Sequence, residues 1–195
     1  MSGSTSGGSG GRAGSSAGSS NDTGRAGGEN GGQSELWFSE YVEGSSKYKA
    51  LEIRGLAGTS LGGCRIETYR DGSLSPNTLS LDALIADTGT YVLCSSSLAD
   101  VESVRCDRST NLLFNGNDAV ALVCNGATLD VIGQIGVDPG DAWTDGDAST
   151  ANQTLRRRCS VTSGDSEGSD AFDPVNQWVA LPVDTVDGLG DGTCG

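Results

Sequence analysis

The clearest β-hairpin signal in this sequence lies at residues 118–132, which read DAVALVCNGATLDVI. Val120 and Leu122 alternate with small residues, and Asn125-Gly126 supplies residues that tolerate positive φ in a tight two-residue turn. Only residues 98–105 have a helical spacing of apolar side chains. Shorter strand-like segments surround the hairpin, at residues 36–42, 48–54, 64–70, 90–94, 112–114, 153–158 and 178–181. Many short strands and little helix predict an all-β fold, a two-sheet β-sandwich.

The composition divides the chain near residue 35. Residues 1–34 hold 12 of the 31 Gly and contain no Leu, Ile, Val or aromatic residue. Such a segment cannot bury enough surface to offset the entropy lost on ordering. We therefore expect a disordered Gly/Ser-rich linker over residues 1–34. One domain would occupy residues 35–195, a length sufficient for a hydrophobic core.

The charge and the missing histidine exclude several classes of protein. The chain has 26 acidic and 12 basic side chains, no His, and a formal charge of −14. Histidine triads, Cys/His dyads and zinc sites with imidazole ligands are therefore excluded. The negative charge disfavours nucleic acid as a partner. Residues 58–62 match the G-x-S-x-G pattern, but no histidine can activate the serine. We expect no enzymatic activity and no catalytic residues.

The cysteines predict a disulfide-bonded domain. Their number is even, and no C-x-x-C pair occurs among Cys64, Cys94, Cys106, Cys124, Cys159 and Cys194. This pattern favours three disulfides and an oxidising compartment, with six buried thiols of a cytosolic protein as the alternative. The short intervening loop predicts a Cys94–Cys106 bond. For the other four, we expect Cys64–Cys159 and Cys124–Cys194.

Blocks of sequence in a fixed order carry a family resemblance. They cover nearly all of residues 35–191, at residues 35–46, 49–53, 115–122, 129–140, 154–157, 172–174 and 184–190. Together they resemble the lamin tail domain as it occurs in bacterial secreted proteins. The resemblance implies an immunoglobulin-like β-sandwich that serves as an accessory module and has no shared catalytic residues. The six cysteines depart from the nuclear members of that family and favour its extracellular branch.

Two acidic segments are weak candidates for a calcium site. Calcium takes six to eight oxygen ligands. The candidates are Asp138, Asp141, Asp145 and Asp147 in one segment and Asp184, Asp187 and Asp191 in the other. Neither segment has the spacing of an EF-hand loop, and the alternative is that these are solvated turn residues. We expect no cofactor, and calcium is the one candidate metal.

Two further residues are candidate ligand contacts. Trp143 lies within the first acidic segment, and Arg157 belongs to the basic cluster at residues 156–158. In a strand, Arg157 would point away from Arg156 and Arg158. The alternatives are a core or rim position for Trp143 and ion pairing with carboxylates for the arginine.

These features predict a monomeric, non-catalytic binding or adhesion module outside the cell or in its envelope, held by the flexible linker. Its partner would be a protein or an extracellular polymer. Membrane contact would require a lipid anchor, as in a lipoprotein, and we expect that a signal peptide or lipobox segment has been removed. The alternatives are an accessory recruitment domain of a secreted enzyme system and a calcium-stabilised structural module of the cell surface.

Overall fold

The computed structural model describes residues 36–111 and 114–195. The linker predicted over residues 1–34 and most of the strand predicted at residues 112–114 lie outside the described residues. Within them, strands dominate and the two α-helices are single turns, α1 (Ser96–Ala99) and α2 (Pro174–Gln177). The strands in chain order are β1 (Trp37–Glu43), β2 (Lys49–Arg54), β3 (Cys64–Tyr69), β4 (Asn77–Ser80), β5 (Thr90–Ser95), β6 (Arg108–Thr110), β7 (Ala119–Cys124), β8 (Ala127–Ile132), β9 (Thr144–Asp145), β10 (Ala148–Ser149), β11 (Gln153–Arg157) and β12 (Trp178–Leu181).

Two sheets form a β-sandwich, which confirms the predicted fold class. The larger sheet has six strands in the order β12-β11-β1-β2-β5-β6, and the smaller has four in the order β4-β3-β7-β8. All pairings are antiparallel except β5 with β6. The predicted hairpin at residues 118–132 is β7 and β8, and both Asn125 and Gly126 have positive φ. Strands β9 and β10 form a separate two-stranded ladder.

Apolar side chains from both sheets form the main core. Phe38 and Leu51 of the larger sheet belong to the same buried cluster as Ile66 and Leu122 of the smaller sheet. Fully burying one such side chain contributes about 1.5–3 kcal/mol relative to leaving it exposed. A second buried cluster lies on the outer face of the larger sheet and consists of Val42, Ala50, Val92, Cys94, Leu98 and Leu189. The larger sheet is therefore covered on both faces.

The helix predicted over residues 98–105 is wrong in extent. Helix α1 covers Ser96–Ala99, and the Ser95 hydroxyl caps it by accepting a hydrogen bond from the Leu98 amide. The helix ends after this single turn, and the chain returns to the sheet, where the Asp107 amide donates to Val92 O and β6 then pairs with β5. Val101 and Val104 still pack on the second cluster, which explains their apolar spacing.

The structure contains three disulfides, and two of the expected pairings are wrong. Cys94–Cys106 is present as predicted, but the other bonds are Cys64–Cys124 and Cys159–Cys194, in place of Cys64–Cys159 and Cys124–Cys194. Cys64 and Cys124 are register partners on β3 and β7, with Cα atoms 3.9 Å apart. The pairing thus depends on which strands are neighbours, which sequence order does not reveal.

The disulfides also indicate the kind of compartment in which the domain works. Three bonds and no free cysteine among the described residues indicate an oxidising compartment. Among the described residues, no helix combines the length and hydropathy that crossing a membrane requires.

Candidate functional site

Arg157, one of the predicted ligand contacts, lies between the two sheets. Its side chain is 2% exposed and forms an ion pair with Asp130 of β8, in the opposite sheet. Its Nε donates to Phe38 O at 3.0 Å, and its guanidinium lies 4.2 Å from the Trp178 ring centroid. Internal partners therefore occupy the donors of Arg157, and the side chain connects the sheets without reaching solvent.

Asp130 completes this site, and sequence reasoning missed it. Besides Arg157, the carboxylate accepts hydrogen bonds from the amides of Phe38 (2.7 Å), Asp165 (2.7 Å) and Val131 (3.1 Å). A buried ion pair offsets its desolvation cost only when such additional hydrogen bonds satisfy it. The one signal in the sequence was an aspartate inside the predicted hairpin strand, where the other long side chains are apolar.

Trp143, the other predicted ligand contact, is also buried. It is 8% exposed, and its ring meets Phe172 edge-on with centroids 6.2 Å apart. The ring also lies against Gly133, where an added Cβ would come within 2.8 Å of it. The Trp143 amide donates to the Thr150 hydroxyl at 3.0 Å. Trp143 therefore supports the connection that follows β8.

The acidic segments do not converge on one point. Asp138 accepts from the Gly140 amide, Asp184 accepts from the Ser45 amide and hydroxyl, and Asp187 approaches Arg156. Across residues 36–111 and 114–195, no three or more His, Cys, Asp or Glu side chains form a group that could hold a metal ion. The remaining candidates are exposed or half-buried positions of turns and of the β9–β10 ladder, Asp141, Asp145, Asp147 and Asp191.

A pair of buried carboxylates occupies the outer face of the larger sheet. Glu40 and Glu52 are register partners on β1 and β2, and each is 0% exposed. Arg156 Nε donates to Glu40 at 2.8 Å, and the Ser39 hydroxyl donates to Glu52 at 2.6 Å. Burial raises the pKa of Glu40 to about 7, although Arg156 acts in the opposite direction, and burial likewise raises the pKa of Glu52.

Residues 182–195, here called the strap, cover this carboxylate pair. The Gly190 amide donates to Glu52 at 2.6 Å, and Leu189 belongs to the apolar cluster beside it. Acid–base chemistry requires a substrate within hydrogen-bond reach of the carboxyl group. With the strap in place, Glu40 and Glu52 reach only protein groups.

Two exposed apolar side chains lie on connections that pack against each other. Leu74, between β3 and β4, is 77% exposed, and Val137, between β8 and β9, is 39% exposed. Gly136 has a φ of 83° and lies under Leu74, where a Cβ would come within 2.8 Å of the leucine. Gly72 has a φ of 74°, and a Cβ added there would come within 2.8 Å of the Asp138 amide nitrogen. We call residues 70–76 and 133–141 the loop surface.

Carboxylates flank the apolar part of the loop surface. Asp71, Asp138 and Asp141 are exposed there. The two connections are far apart in the sequence, so their contact depends on the tertiary fold. The loop surface therefore combines apolar and acidic groups that are far apart in the sequence.

Comparison with known proteins identifies no relative of this chain. No protein-family model matches the chain, and neither a curated protein nor a solved structure matches it. The resemblance to the lamin tail domain thus stays a prediction.

Proposed function

We propose that this domain is a non-catalytic binding module that acts outside the cell or in its envelope and holds a partner on the loop surface. The observation that carries the proposal is the exposure of Leu74 and Val137 on two packed connections. Exposed apolar groups with a polar rim are typical of interaction sites. The resemblance to bacterial lamin tail domains supports the same role.

The charge of the loop surface defines the chemistry of the partner. Asp71, Asp138 and Asp141 would attract basic side chains, while Leu74 and Val137 would contact an apolar group between them. Because the whole chain carries a formal charge of −14, a phosphate backbone would be repelled. A protein or polymer segment that combines cationic and apolar groups fits this surface best.

The buried ionic groups support a non-catalytic role. Arg157 and Asp130 bind each other between the sheets, and Glu40 and Glu52 lie beneath the strap. The three disulfides support an extracellular setting. By composition, residues 1–34 would act as a spacer between the domain and its point of attachment.

A pair of matched variants tests the proposal. Leu74→Ser with Val137→Ser removes the apolar part of the loop surface. Leu56→Ser is the control, since Leu56 is 70% exposed but lies in the connection that precedes β3, at the other end of that strand from Leu74. Binding of each protein to panels of basic peptides and extracellular glycans is measured by biolayer interferometry.

We expect the double variant to lose about tenfold or more in affinity for whatever ligand the native domain binds, because apolar contacts near the centre of an interface dominate its energy. The control should bind as the native domain does. Equal binding by native domain and double variant, or binding to no member of either panel, would contradict the proposal.

A further inference from the structure

The three disulfides differ in how well a reductant can reach them. Cys64 and Cys124 are 4% and 0% exposed, and Cys94 is 0% exposed while its partner Cys106 is half-buried. By contrast, both Cys159 and Cys194 are exposed. Thiol–disulfide exchange requires a thiolate to reach a sulfur atom, so accessibility governs its rate. Cys159–Cys194 is therefore the bond that a reductant meets first.

An open groove of about 220 Å³ runs beside this bond and is lined by Trp37, Arg54, Cys159, Val161, Thr162 and Cys194. Arg54 lines this groove, and its guanidinium donates to Gly192 O, two residues from Cys194. A cation next to a disulfide attracts an incoming thiolate and stabilises the thiolate that leaves. The groove thus offers both access and a favourable charge for exchange.

The Cys159–Cys194 bond holds the end of the strap against the larger sheet. The Gly195 amide donates to Arg157 O at 2.9 Å, and Arg54 donates to Gly192 O at 2.8 Å. Further along the strap, the Gly190 amide donates to Glu52. Most of these contacts use strap backbone atoms, which water can replace once the chain is no longer tethered.

We propose that Cys159–Cys194 is a reducible latch on the strap, which a thiol reductant opens before the other two disulfides. This inference does not depend on the loop surface or on its partner. The reductant's thiolate attacks one sulfur of the bond, and the other sulfur leaves as a thiolate that takes up a proton. A second thiol of the reductant then resolves the mixed disulfide. In sum, two thiols are oxidised to one disulfide, and Cys159–Cys194 is reduced to two thiols.

Opening the latch frees the strap to separate from the sheet. Glu52 then loses the Gly190 amide, and Glu40 and the apolar cluster around Leu189 gain access to water. In an oxidising compartment the latch stays closed, so opening it requires a thiol supplied by a reducing partner.

Differential alkylation of the native domain tests the order of reduction. One arm uses reduced glutathione and the other a dithiol protein of the thioredoxin type. Free thiols are trapped with iodoacetamide at successive times, and peptide mass spectrometry assigns them to individual cysteines. We expect Cys159 and Cys194 to be trapped about tenfold or more faster than the other four in at least one arm. Reaction with glutathione would identify a small-thiol reductant, and reaction with the dithiol protein alone would identify a protein reductant. Trapping of all six together, or of another pair first, would overturn the latch.

Hydrogen exchange then tests the opening of the strap. After selective reduction, the Gly190 amide should exchange about tenfold or more faster, while the amides of β7 keep their protection. The Cys159→Ser, Cys194→Ser double variant should show the same exchange pattern without any reductant. If that variant does not fold, the selectively reduced native domain decides the question. Unchanged exchange at Gly190 after reduction would overturn the proposal.

Discussion

Two consecutive arginines of β11 meet two different buried carboxylates on opposite faces of the larger sheet. Arg157 binds Asp130 between the sheets, where the carboxylate also accepts three backbone amides. Arg156 binds Glu40 beneath the strap, where Glu40 Oε1 has no hydrogen-bond donor among the described residues. In the first site both carboxylate oxygens of Asp130 accept hydrogen bonds, whereas in the second, one oxygen of Glu40 accepts none from the described residues. Burial alone therefore does not decide whether an ion pair stabilises a fold, because the surrounding hydrogen bonds decide it.

The largest effect is expected from breaking the satisfied site. Arg157→Met removes the counter-charge of the buried Asp130 carboxylate, and its three backbone amide donors offset that loss only in part, so the free energy of unfolding should fall by about 3–5 kcal/mol. Denaturant unfolding measures this cost. Arg65→Met is the matched control: the Arg65 side chain is 36% exposed, and its buried partner Glu67 keeps a hydrogen bond from the Tyr69 hydroxyl, so this variant should cost clearly less than Arg157→Met.

The corresponding double variant sharpens this test. Asp130→Leu combined with Arg157→Met removes both charges, so it should be much less damaging than Arg157→Met alone. A double variant as unstable as the single variant would show that the arginine acts through its packing on Trp178 and not through its charge.

The second prediction concerns the incomplete site and its dependence on pH. The pKa of Glu40 rises from its usual 4.5 to about 7, so the folded state binds this proton more tightly than the unfolded state does. The stability from this proton is fully present below about pH 4.5 and is lost as the pH rises to about 7. The loss amounts to about 3 kcal/mol at most.

Glu40→Gln keeps the shape of the side chain but has no proton to lose. The free energy of unfolding, measured by denaturant titration between acidic and mildly alkaline pH, should therefore fall less steeply with pH than in the native domain. Glu102→Gln changes an exposed carboxylate and serves as the control. Parallel pH profiles for the native domain and Glu40→Gln would contradict the assigned shift.

Local patterns predicted much of the fold but little of either ionic site. The alternation in β1, β2, β7 and β8 and the Asn125-Gly126 turn define strands from neighbouring residues alone, and the structure confirms them. The strand alternation also predicted that Arg157 points away from Arg156. What lies on each face could not be predicted, because Asp130, Glu40 and the strap come from distant parts of the chain. The pairing of Cys64 with Cys124 was missed for the same reason.

The smallest effect is expected at the edge of the incomplete site. Asp187 Oδ1 lies 3.5 Å from Arg156 Nη2, but the Asp187 side chain is 84% exposed. An exposed partner at this distance contributes roughly 0–1 kcal/mol, so Asp187→Asn should change the free energy of unfolding by less than about 1 kcal/mol.

Asp187→Asn also tests the predicted calcium role of Asp187. Because the Arg156 guanidinium already opposes a cation there, added calcium should leave the melting temperatures of both proteins unchanged relative to chelator. A calcium-dependent rise that disappears in Asp187→Asn would instead mean that the strap binds the metal and that Arg156 yields its partner to it.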